Sequence, residues 1–270
     1  MSARIGFFYI EHARIEVHNG ALMAISVDFS TPVPLGILAC IMLGPGTSVT
    51  HAAVNMLGRL GCLLLWVGEN GTRLYSAGRP GGGSGHRMLE QANVASTPEL
   101  RLLAARRLYQ IMCGIDAPRA RSIEQLRGLE GRWVRTEYAR LARTHGIEWR
   151  GRNRLADDPA NKGINVATST LYGAAEAVIL ALGLSPAIGI VHTGDERSLA
   201  FDVADTIKFK TVVPIAFATA AEDTDKNMHT TVRRRCRDLF RSERILEQLV
   251  AITEHVVLGH AMDRDNADQP

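Results

Sequence analysis

The octapeptide GRPGGGSG at residues 78–85 separates two stretches of chain with different hydrophobic periods. Glycine fills five of its eight positions, a composition that favours an extended, flexible connection over an ordered element. Before it, apolar residues cluster and alternate as in short strands; after it, they recur every three or four residues. A single change of period predicts an α+β chain with strands and helices segregated along the sequence. The expected parts are a β-rich block over 1–77, the linker over 78–85, a helical block over 86–258 and a flexible tail over 259–270.

In the first block, IGFFYIE, ARIEV, ALMAISVDF, ILACIML, CLLLWVG and TRLYSA read as strands rich in β-branched and aromatic residues. His18-Asn19-Gly20 lies between two of them, and Asn-Gly tolerates the positive φ angles of a tight hairpin. HAAVNMLGRLG reads as a short helix capped by Thr47 or Ser48, and Glu69-Asn70-Gly71 as the connection of the last strand pair. In the second block, helices are expected at 86–95, 98–112, 119–144, 165–182, 198–208, 210–221, 229–240 and 242–258. The polar stretch RGRNRLADDPANKG at 150–163 reads as a surface loop.

The chain has 270 residues, 46% hydrophobic and 22% charged, which excludes global disorder and allows a sizeable core. The longest uncharged apolar run, Ala177–Val191, is broken by Pro186 and is shorter than the ~18–20 residues that span a bilayer. The apolar N-terminal stretch is cut off at Glu11, too early for a secretory signal. Cys40, Cys62, Cys113 and Cys236 are scattered, without a C-x-x-C pair, and read as buried free thiols. The expectation is a cytoplasmic protein with no membrane partner.

The net charge, 31 minus 28 or +3, is too small to declare a nucleic-acid partner, but its distribution is uneven. Residues 230–244 contain Arg233, Arg237 and Arg241 at i, i+4, i+8, along one helical face. That stripe fits either a phosphate backbone or an ordinary solvated face.

The residues able to do chemistry lie elsewhere. His192 sits in PAIGIVHTGDE, and Asp202 and Asp205 follow at i, i+3 within FDVADTIKF, among Phe201, Val203, Ile207 and Phe209. Two acids among buried-type neighbours are costly without a cation or metal. Lys208 shares the face of Asp205, so a local Asp205–Lys208 ion pair with His192 as a turn hydrogen bonder accounts for the same residues. Glu130 lies between Gly128 and Gly131, and two glycines inside a helix suggest close approach by another group. A set of Glu, His and Asp suits Mg²⁺ or Mn²⁺ better than structural zinc. Such an ion assists phosphoryl transfer.

The segments CIMLGPGTSVTHAAV, LLLWVGENGTRLYSAGRPGG, EQLRGLEG, ATSTLYGAAEAVILA, SPAIGIVHTG, FDVADTIKFKTVVPIAF and CRDLFRS resemble the CRISPR-associated protein one family. They are most similar to its type I-E members, and they run in the family's order from about residue 5 to residue 245. The resemblance implies an N-terminal β-sandwich-like domain that dimerises, and a C-terminal all-α catalytic domain. It implies a metal site of Glu130, His192 and Asp205, with Asp202 supporting it and Tyr172 close by. It also implies that Arg73, Lys208 and Arg233 lie near the DNA path, beside the Arg237 and Arg241 of the stripe.

The activity so implied is joining of the 3′-hydroxyl ends of short protospacer DNA into a CRISPR repeat by transesterification, with endonuclease action on branched DNA. The implied cofactor is Mg²⁺ or Mn²⁺. The implied assembly is two homodimers flanking a dimer of CRISPR-associated protein two, a heterohexamer on double-stranded DNA. Two other functions fit the same residues: a structure-selective nuclease acting on repair intermediates, and a non-catalytic DNA-binding subunit. The chain departs from the family pattern at Ser48 and Asn55, where basic residues are usual, and at His12, where a tyrosine is usual. These departures bear on DNA affinity and leave the proposed ligands intact.

Overall fold

The computed structural model describes residues 6–36, 38–71, 73–78, 85–114, 122–222 and 227–259. Among the described residues eight strands come first: β1 (Gly6–Ile10), β2 (Arg14–His18), β3 (Ala21–Ile25), β4 (Ser30–Pro32), β5 (Leu38–Leu43), β6 (Ser48–Val49), β7 (Leu63–Val67) and β8 (Leu74–Gly78). Helix α1 (His51–Arg59) lies between β6 and β7. The strands form two four-stranded sheets, ordered β1-β5-β7-β8 and β4-β3-β2-β6.

Local sequence explains the turns. Asn19 and Gly20 adopt φ of 49° and 77° between β2 and β3, and His18 pairs with Ala21 across them. In the first sheet β1, β5 and β7 are parallel, and β8 returns antiparallel after Glu69–Gly71. Strand β5, LACIML, is apolar throughout because both of its faces are covered. Ile41 and Leu43 join Ile10, Ile15, Leu22 and Leu57 between the sheets and α1. Cys40 and Met42 join Leu65, Val67 and Ala177 on the opposite face.

The helices follow: α2 (His86–Ser96), α3 (Pro98–Cys113), α4 (Ile123–Thr144), α5 (Pro159–Ala181), α6 (Ser198–Asp205), α7 (Val212–Ala221), α8 (Met228–Ser242) and α9 (Ile245–Thr253), which ends in a π turn over Glu254–Leu258. Helix α5 is the central element, in contact with α6, α7, α8, α9 and strands β7 and β8. It is long and apolar enough to cross a membrane, and most of its apolar residues are buried in the helical core. A Cβ on Gly173 would lie 3.3 Å from Arg73 Cα and from Leu74 N, so the missing side chain lets α5 pack directly against β8.

Several expectations need correction. The first helix is capped by Thr50, whose Oγ1 accepts from Ala53 N, because Ser48 and Val49 pair with β2 as β6. Helix α5 starts at Pro159, inside the stretch read as a loop: Asp158 caps it, accepting from Asn161 N at 2.9 Å, and Pro159 takes the first-turn position. The last two helices are separate as expected, but the break falls later, after Ser242, where Arg244 has a φ of 50°. Nothing lies within 4 Å of a Cβ placed on Gly128 or Gly131, so no described group makes the close approach expected there. Residues 79–84 of the linker, the expected helical start at 119–121 and the tail beyond residue 259 lie outside the described residues. All four cysteines are free, three of them buried and Cys113 half-buried.

Candidate active site

Asp202, on α6, organises the loop that carries His192. Its side chain is 1% exposed. Oδ2 accepts from the backbone N–H of Ile190 at 2.6 Å and of Val191 at 3.0 Å, while Oδ1 accepts from His192 N at 2.9 Å. Oδ1 also lies 2.7 Å from His192 Nδ1. An ionised carboxylate has no proton to give, so the ring donates through Nδ1 and keeps its lone pair on Nε2. The hydrogen bond to Asp202 raises the His192 pKa, burial opposes this, and the Asp202 charge adds to the rise.

Glu130, His192, Asp202 and Asp205 line one hollow of about 20 Å³, together with Tyr109, Val191 and Thr206. That volume suits a single water or ion. Each further carboxylate is held by a tyrosine: Tyr109 OH donates to Glu130 Oε2 at 2.8 Å, and Tyr172 OH donates to Asp205 Oδ1 at 2.9 Å. The other oxygen of Asp205 is 2.8 Å from Lys208 Nζ. The Asp205–Lys208 pair considered from sequence is therefore present, within the acidic cluster. Burial pushes both tyrosine hydroxyls up, and the carboxylates beside them add to the effect.

Two carboxylates and an imidazole form a hard donor set that suits Mg²⁺ or Mn²⁺ in kind. As the side chains stand, however, no three His, Cys, Asp or Glu residues among those described converge closely enough to hold an ion. The donors share a hollow, but Tyr172 and Lys208 engage both oxygens of Asp205, and Tyr109 engages Oε2 of Glu130.

Tyr172 and Lys208 also face a second groove, of about 350 Å³, lined by Arg152, Arg154, Arg197 and Phe201. Arg152 is fixed there by Asn161 Oδ1 at 2.9 Å and Asn165 Oδ1 at 2.6 Å. The arginine stripe lies elsewhere. Arg73, Arg233 and Arg237 line a hollow of about 290 Å³ with Tyr75 and Arg234. Arg237 and Arg241 line an adjoining one of about 320 Å³. Lys208 is 8% exposed and stands apart from this stripe. Ser48, Asn55 and His12 are all exposed.

A family model described as CRISPR-associated protein Cas1 matches residues 113–239. The CRISPR-associated endonuclease Cas1 of Geobacter sulfurreducens is 43% identical over 266 residues, covering 96% of this chain and 87% of the relative. The chain belongs to the Cas1 family. Within it, the CRISPR-associated endonuclease Cas1 of Escherichia coli is 44% identical over 94% of this chain and 85% of its own length. The crystal structure of a TtCas1–DNA complex aligns with a TM-score of 0.87 at 37% identity, covering 95% of this chain and 98% of that one. A casposase bound to integration product has the same fold, with a TM-score of 0.66 at 13% identity over 94% of this chain and 96% of that one.

The expected α+β order, strands before helices, agrees with the TtCas1 structure. Sequence reasoning missed Tyr109, Arg127, Arg152 and Arg154. Tyr109 reads as one more apolar position of α3, and only the fold turns its hydroxyl toward Glu130. Arg127 lies one turn before Glu130 and donates to the carbonyl of Val191, a partner 64 residues away. Arg152 and Arg154 fall in the stretch read as a surface loop; their excess of positive charge was the available signal.

Proposed function

We propose that this chain is a metal-dependent DNA integrase and endonuclease of CRISPR adaptation, of type I-E. The observation that carries the proposal is the shared hollow, which gathers Glu130 from α4, His192 from the loop and Asp205 from α6. The Cas1 relatives named as endonucleases and the DNA-bound TtCas1 support nucleic acid as the substrate.

In this reading Glu130, His192 and Asp205 would hold Mg²⁺ or Mn²⁺, which when bound would supply Lewis-acid stabilisation of charge developing on a phosphodiester oxygen. Asp202 fixes the His192 ring through Nδ1 beside the hollow, and Tyr109 and Tyr172 orient the carboxylates. Lys208 neutralises Asp205 from 2.8 Å. The reaction is exchange at phosphorus: a 3′-hydroxyl of the protospacer gives up its proton and forms a new P–O bond, while the repeat's bridging P–O bond breaks and its 3′-oxygen leaves, taking up a proton to become a free 3′-hydroxyl. Arg73, Arg233, Arg237 and Arg241 hold DNA phosphates. Assembly is a homodimer through the β-rich half, with two dimers flanking a dimer of CRISPR-associated protein two. A symmetric assembly matches the two ends of a protospacer.

Strand joining tests this reading, with a repeat-bearing plasmid, a labelled short duplex and the partner protein. Wild-type protein should yield label covalently attached at repeat ends, and Glu130→Ala and His192→Ala should abolish it. Undiminished joining by both variants contradicts the reading. Cleavage of branched junctions without joining would instead favour a repair nuclease.

A further inference from the structure

The amide of Gln91, on α2, is fully buried and spends its hydrogen bonds on one distant loop. Nε2 donates to Ser185 O and to Ile188 O, each at 2.7 Å, and Oε1 accepts from Ser185 N at 2.8 Å. Both amide protons and the carbonyl are used, across 94 to 97 residues of sequence. Next along the loop, Arg101 Nε of α3 donates to Ile190 O at 2.7 Å. Leu199 N donates to Pro186 O at 2.7 Å. From there Asp202 takes the N–H groups of Ile190, Val191 and His192.

Residues 185–192 are irregular, so their backbone groups have no helix or sheet to satisfy them. Side chains supply most of the partners instead, beside backbone bonds from Leu199 N to Pro186 O and from Ile188 N to Ser185 O. Asp202 grips the end that carries His192, while Gln91 and Arg101 grip the approach to it. Gly189 lies at a crossing where a Cβ would collide with the His192 carbonyl and come within 2.7 Å of Ser198 Cβ, so the loop is also sterically fitted.

We propose that Gln91 is a positioning residue for the active site, holding the 185–192 loop so that His192 faces the hollow, with Arg101 as its auxiliary. The proposal rests on the reading of His192 as an active-site group. Gln91 touches no reacting atom and acts through the backbone it binds. Removing its amide while keeping its bulk takes this partner from Ile188 O and Ser185 N and leaves Ser185 O with only the 3.3 Å bond from Ile188 N. The loop then opens locally, and imidazole placement suffers before DNA affinity does.

The test compares wild type with Gln91→Met and Arg101→Met by amide hydrogen exchange and single-turnover strand joining. Ile179→Val serves as a control that trims the buried core without removing a hydrogen-bond partner of the loop. In Gln91→Met, exchange at Ile190, Val191 and His192 should rise at least tenfold above any change elsewhere. The joining rate should fall at least tenfold with DNA Kd within twofold. Arg101→Met should show the same pattern more weakly, and Ile179→Val should show neither change. Unchanged loop exchange in a folded Gln91→Met overturns the proposal, as does a uniform rise at every site. Faster loop exchange with full joining overturns it too, provided that His192→Ala is inactive. If Gln91→Met does not fold, Arg101→Met decides by the same criteria. A fully active His192→Ala defeats the reading of the site instead, and loop exchange still reports whether Gln91 holds the loop.

Discussion

Lys208 Nζ lies 2.8 Å from Asp205 Oδ2, with the two side chains only 10% and 12% exposed. A buried cation thus stands beside one of the carboxylates proposed to bind metal. Burial is the largest single influence on Lys208 and would lower its pKa, but the Asp205 charge, Tyr138, the hydrogen bond to Asp205 and the Glu130 charge together outweigh it, so the ammonium stays protonated.

Lys208→Met should therefore destabilise the metal-free protein by about 3–5 kcal/mol, because the substitution strands a buried carboxylate. Chemical denaturation with and without Mn²⁺ measures this. Added Mn²⁺ should restore more stability to the variant than it adds to wild type. Equal stability of both proteins without metal contradicts the assignment.

Asp202→Asn removes the main cause of the raised His192 pKa. The His192 ring should then titrate at lower pH, read by imidazole NMR on metal-free protein. The sign for stability follows. With a folded value above 6.5, the His192–Asp202 contribution is fully present below about 6.5 and fades as pH rises through the folded value. Asp202→Asn should lose that dependence. An unshifted titration argues against the hydrogen bond.

The arginine hollows give a salt-dependence prediction. Arg233→Ala and Arg241→Ala should each weaken DNA binding irrespective of sequence and reduce the slope of log K against log salt by about 0.9. Arg237 should contribute less, because it already pairs with Asp238 at 2.7 Å. Titrations at several salt concentrations check this, and unaltered slopes exclude phosphate contacts at these positions.

How far the sequence reached depends on which residues are asked about. Asn19-Gly20 determines its own turn, so the β2–β3 hairpin is readable locally. The i, i+3 spacing of Asp202 and Asp205 was visible, but their division of labour was not. One caps a loop of backbone N–H groups and the other pairs with Lys208 and Tyr172. Tyr109 and Gln91 were silent because their partners lie far along the chain, and helical periodicity carries no record of such pairings. The start of α5 was obscured by polar residues whose role is capping.

That cap offers a stability test. Burial would raise the Asp158 carboxyl, but hydrogen bonds from the backbone and side chain of Asn161 outweigh it and hold the pKa low. Its contribution is present above the usual carboxylate range and disappears as pH falls through the lowered folded value. Asp158→Ala should cost about 1 kcal/mol at neutral pH, and less in acid. Thermal denaturation against pH measures it, and a loss that is the same at every pH contradicts the account.

The central claim is that Glu130, His192 and Asp205 form a divalent-metal site, and anomalous diffraction from crystals soaked in Mn²⁺ tests it most directly. The account predicts a Mn²⁺ peak within coordination distance of all three side chains, with Lys208 Nζ displaced from Asp205. Crystals that retain strand-joining activity on dissolution, yet show no Mn²⁺ at those residues at saturating concentration, would contradict it.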